Sequence, residues 1–184
     1  MMELKNIKLE LIKELTWPDV FTIWRQNEDY PNSHWIAHWQ GRGFKSWDAW
    51  RATFVEPLGL KELEWGLYEI AEPLKAIPLF HGGSFRSWIQ MFYQGVEYPT
   101  FADLANMPEI QAHQGILNML SGFPSQTTIS AVVINGEAYV VEGMHRCAAI
   151  ALAAKQGKKL NTQVKVALAQ YNRDKLPVVG KGQK

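Results

Sequence analysis

Asn135-Gly136 stands between two apolar runs, TTISAVVI and EAYVVE. A two-residue type I′ turn needs positive φ at both central positions, and Asn-Gly meets that need at little steric cost. Residues 127–142 are therefore expected to form an antiparallel hairpin. Gly143 ends the second run, and the alanine-rich stretch MHRCAAIALAAKQ follows, closed by Gly157. This stretch predicts a helix over about 144–156. VKVALAQY, residues 164–171, reads as a last strand. Hairpin, helix and strand in this order call for a sheet with a helix laid against it, so an α+β protein with a small mixed sheet is expected.

All eight tryptophans, from Trp17 to Trp88, precede this unit. Thr16-Trp17-Pro18-Asp19 reads as a capped helix start, and Val20, Phe21 and Trp24 before the polar Asn27-Glu28-Asp29 give a short amphipathic helix. Ser33 opens the aromatic segment HWIAHWQGRG. Ser46 opens SWDAWRATFVEPLG, in which Trp47, Trp50 and Phe54 share one face. Residues 64–71 read as a strand bounded by Pro73. Helices are expected over Ser84–Tyr93, from Thr100, and as one longer element from Pro108 to about Ser121 that buries Ile116, Leu117, Met119 and Leu120 on one side. The expected organisation is a helical, aromatic-rich region over 1–120 packed on a core over 121–171, with 172–184 as a flexible tail.

Nineteen basic and eighteen acidic residues leave a net charge of +1, which excludes an overall basic field of the kind that marks a dedicated nucleic-acid binder. A local mix of Arg25, Arg42, Lys45 and Arg51 among the tryptophans is the one basis for a nucleic-acid partner. Such tryptophans stack on bases in single-strand binders; at helical spacing they also build a core, or a surface for a protein partner or self-association. Cys147, the single cysteine, excludes an intrachain disulfide and a cysteine-pair zinc site. The N-terminus carries charges throughout, unlike a signal peptide, and no run approaches the roughly 18 apolar residues of a membrane span, so a cytoplasmic protein without membrane attachment is expected.

The chemistry concentrates in Glu142-Gly143-Met144-His145-Arg146. A glycine between strand and helix permits a sharp turn. The first turn of the helix then presents free N–H groups and partial positive charge, and His145 and Arg146 add side-chain donors. Together these define an anion site suited to phosphate. The structural alternative is a plain strand–glycine–helix junction with Arg146 paired to a carboxylate.

The run from about 128 to 171, with EGMHRCAA at its centre, resembles the ParB/sulfiredoxin-like superfamily, whose members carry D-G-H-H-R-x-A-A, G-E-R-R-x-R-A or G-G-C-H-R-x-A-A in this context. The resemblance implies a loop that holds nucleotide phosphates, lined by Gly143, Met144, His145 and Arg146. It implies ATP or another nucleotide with Mg²⁺ as cofactor, and among its activities a small-molecule phosphotransferase. Glu142 and His145 would then be the catalytic candidates, Glu142 serving the metal or the acceptor hydroxyl, or else orienting Arg146. Sulfiredoxin chemistry is not expected, because Met144 stands where the nucleophilic cysteine is required. A partition role lacks room for the helix-turn-helix that follows the core in those proteins.

His81-Gly82-Gly83-Ser84-Phe85-Arg86 is a second glycine-rich loop, with Ser84 and Arg86 as secondary ligand candidates beside the plainer reading of a capped turn. No metal site is expected: His34 and His38 have i, i+4 spacing but lack the glutamate of HExxH. Three functions stay open at this stage. They are a nucleotide- or phosphate-binding domain with or without phosphoryl transfer, a non-enzymatic nucleic-acid-associated module, and a protein-interaction module retaining the fold.

Overall fold

The computed structural model describes Leu4, Lys5 and residues 7–181. Its elements in chain order are β1 (Leu9–Leu15), α1 (Trp17–Glu28), α2 (His34–Gly41), α3 (Trp47–Leu58), β2 (Trp65–Ile70), α4 (Pro73–Ala76), α5 (Arg86–Phe92), α6 (Phe101–Ala105), α7 (Pro108–Gln111), α8 (Gln114–Ser121), β3 (Gln126–Ile134), β4 (Glu137–Glu142), α9 (Met144–Lys155) and β5 (Gln163–Gln170). The strands form one mixed sheet in the order β1-β2-β5-β3-β4, in which β3 and β5 are parallel and the other pairs antiparallel. Asn135 (φ 53°) and Gly136 (φ 81°) make the expected turn between β3 and β4. The α+β class holds, with a helical, tryptophan-rich N-terminal region against a mixed sheet. Among the described residues no helix is long and apolar enough to cross a membrane.

Alternation along the strands splits the core into two layers. Ile129, Ala131 and Val133 of β3 and Val164, Val166 and Leu168 of β5 face α9 and the helices between residues 73 and 121. Val132, Ile134, Ala167 and Ala169 face the other way, against Trp24, Trp47, Trp50 and Phe54 of α1 and α3. Four alanines of α9, at 148, 149, 151 and 153, let its axis approach the sheet, and nine of its twelve residues are buried. The tryptophans at 24, 47 and 50 are at most 3% exposed, so they are core rather than a free aromatic surface.

Three expectations need correction. The sheet is not confined to 121–171: β2, at the strand expected over 64–71, and β1, which the charged sequence LELIKEL did not announce as a strand, lie in the same sheet as the C-terminal strands. The long helix over 108–121 is two helices, α7 and α8, interrupted at His113, whose side chain caps α8 by accepting from the Ile116 N–H (3.3 Å). Residues 172–181 are not a frayed tail. Leu176 and Val179 are 4% and 3% exposed, and Val179 exchanges backbone hydrogen bonds with Ser84 and Arg86 (both 2.9 Å).

Both sheet edges are managed. On β1 the register slips at Ile12, a bulge flanked by Glu10, Lys13 and Glu14 that blunts the free edge. On β4 the outer edge is covered by His81, whose N–H donates to Ala138 O (2.8 Å) and whose carbonyl accepts from Val140 N–H (3.0 Å).

Candidate functional site

Gly143 has φ +99°, and a β-carbon there would lie 2.7 Å from Ile129 Cγ2 and 3.1 Å from Arg146 Nη2. Only glycine joins β4 to α9 in this way. A consequence follows for the helix. α1, α2, α3, α6 and α8 are capped by the side chains of Thr16, Ser33, Ser46, Thr100 and His113, whereas Gly143 has no side chain with which to cap α9. The first backbone bond of α9 runs from Cys147 N–H to Gly143 O (3.0 Å), so the N–H groups of Met144, His145 and Arg146 lie outside its ladder.

The side chains at this turn diverge. In β4 the register slips so that Glu142 pairs with Ser130 while Val140 pairs with Ala131. The extra residue turns Glu142 from the α9 layer onto the side of α1. There its carboxylate, 3% exposed, takes a close ion pair with Arg146 and accepts from Asn27 Nδ2 (3.2 Å). Arg146, 8% exposed, also donates to Thr127 Oγ1 (2.6 Å) and Thr128 O (2.9 Å). Burial pushes the Glu142 carboxyl above its ordinary value, with Arg146 pulling it back. Of the roles open to Glu142, the geometry gives it the orienting one. Arg146 has folded beneath the loop rather than into solvent.

A second buried pair lies beside the first. Glu28, the neighbour of Asn27 on α1, pairs with Arg51 of α3 and accepts from Trp47 Nε1 (2.9 Å), and Arg51 lies over the Trp50 ring at 4.2 Å. Trp24 Nε1 donates to Ser130 Oγ (2.8 Å). Arg25 pairs with Asp48 and Asp29. Two of the four cations expected for a nucleic-acid patch, Arg25 and Arg51, are thus already neutralised within the fold, leaving Arg42 and Lys45.

His145 points away from the ion pairs. Its ring packs against Trp88 (5.2 Å), His113 (5.6 Å) and Trp35 (6.1 Å). Among the described residues no hydrogen bond engages its ring nitrogens. Burial, then the neighbouring His113, His34 and Arg146, lowers its pKa to about 4, so the imidazole is neutral at physiological pH. Four of the five histidines, at 34, 38, 113 and 145, thereby gather around Trp35 and the first turn of α9.

The Met144 side chain accepts from Gly83 N–H through sulfur (3.4 Å) and leaves only its backbone toward the turn. Gly82 and Gly83 are required by packing, since side chains there would collide with Tyr93 and with the Val140 carbonyl. Ser84 Oγ donates to Pro177 O (2.6 Å) and Arg86 Nε to Gly180 O (3.2 Å), so these secondary candidates hold the C-terminal segment instead of joining the 142–146 turn. Cys147 is wholly buried, and burial raises its thiol pKa far above the usual range, which removes thiolate chemistry.

Among the described residues no group of three or more His, Cys, Asp or Glu side chains could hold a metal ion. Glu142, the carboxylate nearest the turn, is committed to Arg146 and Asn27. The donor set therefore does not fit a protein-held Mg²⁺. Sequence reasoning missed Asn27, Glu28 and Thr127. Asn27 and Glu28 read as the polar end of an amphipathic helix, and no local spacing signals a partner 115 residues away.

The fold and site together define an α+β domain whose central helix opens with an uncapped turn beside a buried ion-pair network. Comparison with protein-family models, curated proteins and solved structures gave no match.

Proposed function

We propose that the first turn of α9 binds a phosphate-bearing small molecule, a nucleotide being the class that the ParB/sulfiredoxin-like resemblance implies. The observation that carries this reading is the pairing of an uncapped 12-residue helix with a half-buried imidazole, His145, whose ring packs against Trp88, His113 and Trp35 beside the turn. Backbone N–H groups of residues 144–146 and the helix dipole supply the anion contacts. Neutral His145 supplies one donor, and exposed His34 stands near it. Arg146 serves by fixing the loop from beneath, through Glu142, Thr127 and Thr128. Any divalent ion would arrive on the nucleotide's own phosphates. A cytoplasmic setting, where nucleotides abound and Cys147 stays reduced, suits this role.

The test is a titration with ATP, CTP, ADP and inorganic pyrophosphate, followed by amide chemical shifts and by thermal unfolding. Saturation at about 100 times the dissociation constant adds roughly 2.7 kcal/mol, several degrees for a chain of this size. Shifts centred on the amides of Met144 and His145, and weakened in His34→Glu, which adds negative charge near the turn, are expected. Arg146→Ala is a poor probe, because it strands buried Glu142. No shift at those amides with any of the four ligands would refute the reading.

A further inference from the structure

A second place in the molecule gathers cations, beside the C-terminal segment that the Ser84–Arg86 loop holds. A cavity of about 190 Å³ is lined by Arg42, Phe44, Trp50, Thr53, Phe54, Gly180 and Lys181. It carries two cations and no carboxylate. Among the described residues neither Arg42 nor Lys181 forms a salt bridge, and Lys181 Nζ lies 6.0 Å from the centre of the Phe44 ring. The rest of the wall is Phe44, Trp50 and Phe54 with Thr53 and Gly180.

The C-terminal segment completes this cavity and is held in place for it. Val179 bonds the backbones of Ser84 and Arg86, and Arg86 Nε donates to Gly180 O. Gly180 adopts φ +83°, and a β-carbon there would sit 3.1 Å from Phe54 Cε1. Glycine lets the chain lie directly on the Phe54 ring and deliver Lys181 beside Arg42. Without residues 180–181 the cavity loses one wall and one of its two cations.

We propose that this cavity seats a nucleobase, with the attached phosphate held by Arg42 and Lys181. At about 190 Å³ the cavity has room for a planar ring. Phe44, half-buried where Trp50 and Phe54 are core, offers a ring face to a planar base, and unpaired cations at the rim favour a phosphate beside it. The site is independent of the α9 reading. Trp35 stands between the two, stacked on Trp50 at 5.5 Å and edge-on to His145 at 6.1 Å.

A base with its phosphate can come from a free nucleotide or from single-stranded nucleic acid, and the experiment separates these. Calorimetric titration of the full chain with AMP, an oligothymidylate and inorganic phosphate is run on the wild type, on Arg42→Ala, Lys181→Ala and the double variant, and on His34→Glu. Circular dichroism checks folding. Hydrogen exchange follows residues 177–181. The expected result is that AMP or the oligonucleotide binds better than inorganic phosphate. Each cation removed weakens binding about tenfold, a step of about 1.4 kcal/mol. Protection of 177–181 rises on binding. A preference for the oligonucleotide assigns the site to nucleic acid, and equal binding of AMP assigns it to the free nucleotide. The proposal is overturned if neither binds at millimolar concentration, if inorganic phosphate binds equally well, or if the double variant binds like wild type. Binding lost in His34→Glu and kept in the double variant would place the ligand at α9 and leave this cavity without a role.

Discussion

Arg146→Ala tests the buried network most directly. The substitution removes the ion pair with Glu142 and the hydrogen bonds to Thr127 Oγ1 and Thr128 O. It leaves the Glu142 carboxylate, 3% exposed, with Asn27 Nδ2 at 3.2 Å as its remaining side-chain donor. Breaking a buried pair from one side costs about 3–5 kcal/mol, out of a typical total of about 5–15. At about 2–4 °C per kcal/mol for a chain of this size, the melting temperature should fall by about 6–20 °C.

The pH dependence of that variant is more telling. The Glu142 carboxyl is already raised above its ordinary 4.5 by burial, and Arg146 is what pulls it down. Removing Arg146 raises it further, so the folded variant prefers the protonated acid. A group raised in the folded state contributes stability below its unfolded pKa and loses it as pH rises through the folded pKa, here by up to about 1.4 kcal/mol per unit. Urea unfolding followed by tryptophan fluorescence should show the deficit against wild type growing as pH rises above the ordinary carboxylate range. The double change Glu142→Leu with Arg146→Met, which removes both charges, should recover most of the loss and flatten the profile. A deficit under about 1 kcal/mol, or one independent of pH, would show that the carboxylate is not stranded and that the network does not clasp α1 to α9.

Gly143→Ala meets both a positive φ and the Ile129 side chain, and should cost about 1–3 kcal/mol; an unchanged urea midpoint would show that the loop relaxes freely. His145 should titrate by proton NMR near pH 4 rather than at the ordinary 6.5. Because its folded pKa is depressed, it contributes stability above about pH 6.5 that is lost as pH falls toward about 4, a loss of roughly 3 kcal/mol, and a midpoint near 6.5 would mean that the ring is solvated. Trp24→Phe removes the 2.8 Å bond to Ser130 Oγ and leaves that buried hydroxyl without its indole partner, so stability should drop by about 1–3 kcal/mol beyond any packing change, and a difference below about 0.5 kcal/mol would count against the bond.

Local chemistry was readable without the fold. Thr16 with Asp19, Ser33, Ser46 and Thr100 cap the helices that their positions announced, because a cap acts on N–H groups two or three residues away. Asn135-Gly136 and Gly143 impose backbone angles that few other residues adopt, so the hairpin and the abrupt start of α9 were written into single positions. What needed the tertiary structure was the partner of each side chain. Arg146 sits at the helix N-terminus as its place in the sequence says, yet its charge is turned inward by a bulge at β4 and by Asn27 from the far end of the chain. The strand β1 hid behind its charges because it is an edge exposed on both faces. The C-terminal segment, rich in small and polar residues, is ordered by Ser84, Arg86 and Tyr98 rather than by any propensity of its own. Backbone geometry is decided within a few residues and can be read from them. Burial and charge pairing depend on groups brought together only when the sheet closes, and these decided what His145, Arg146 and Ser84 each face.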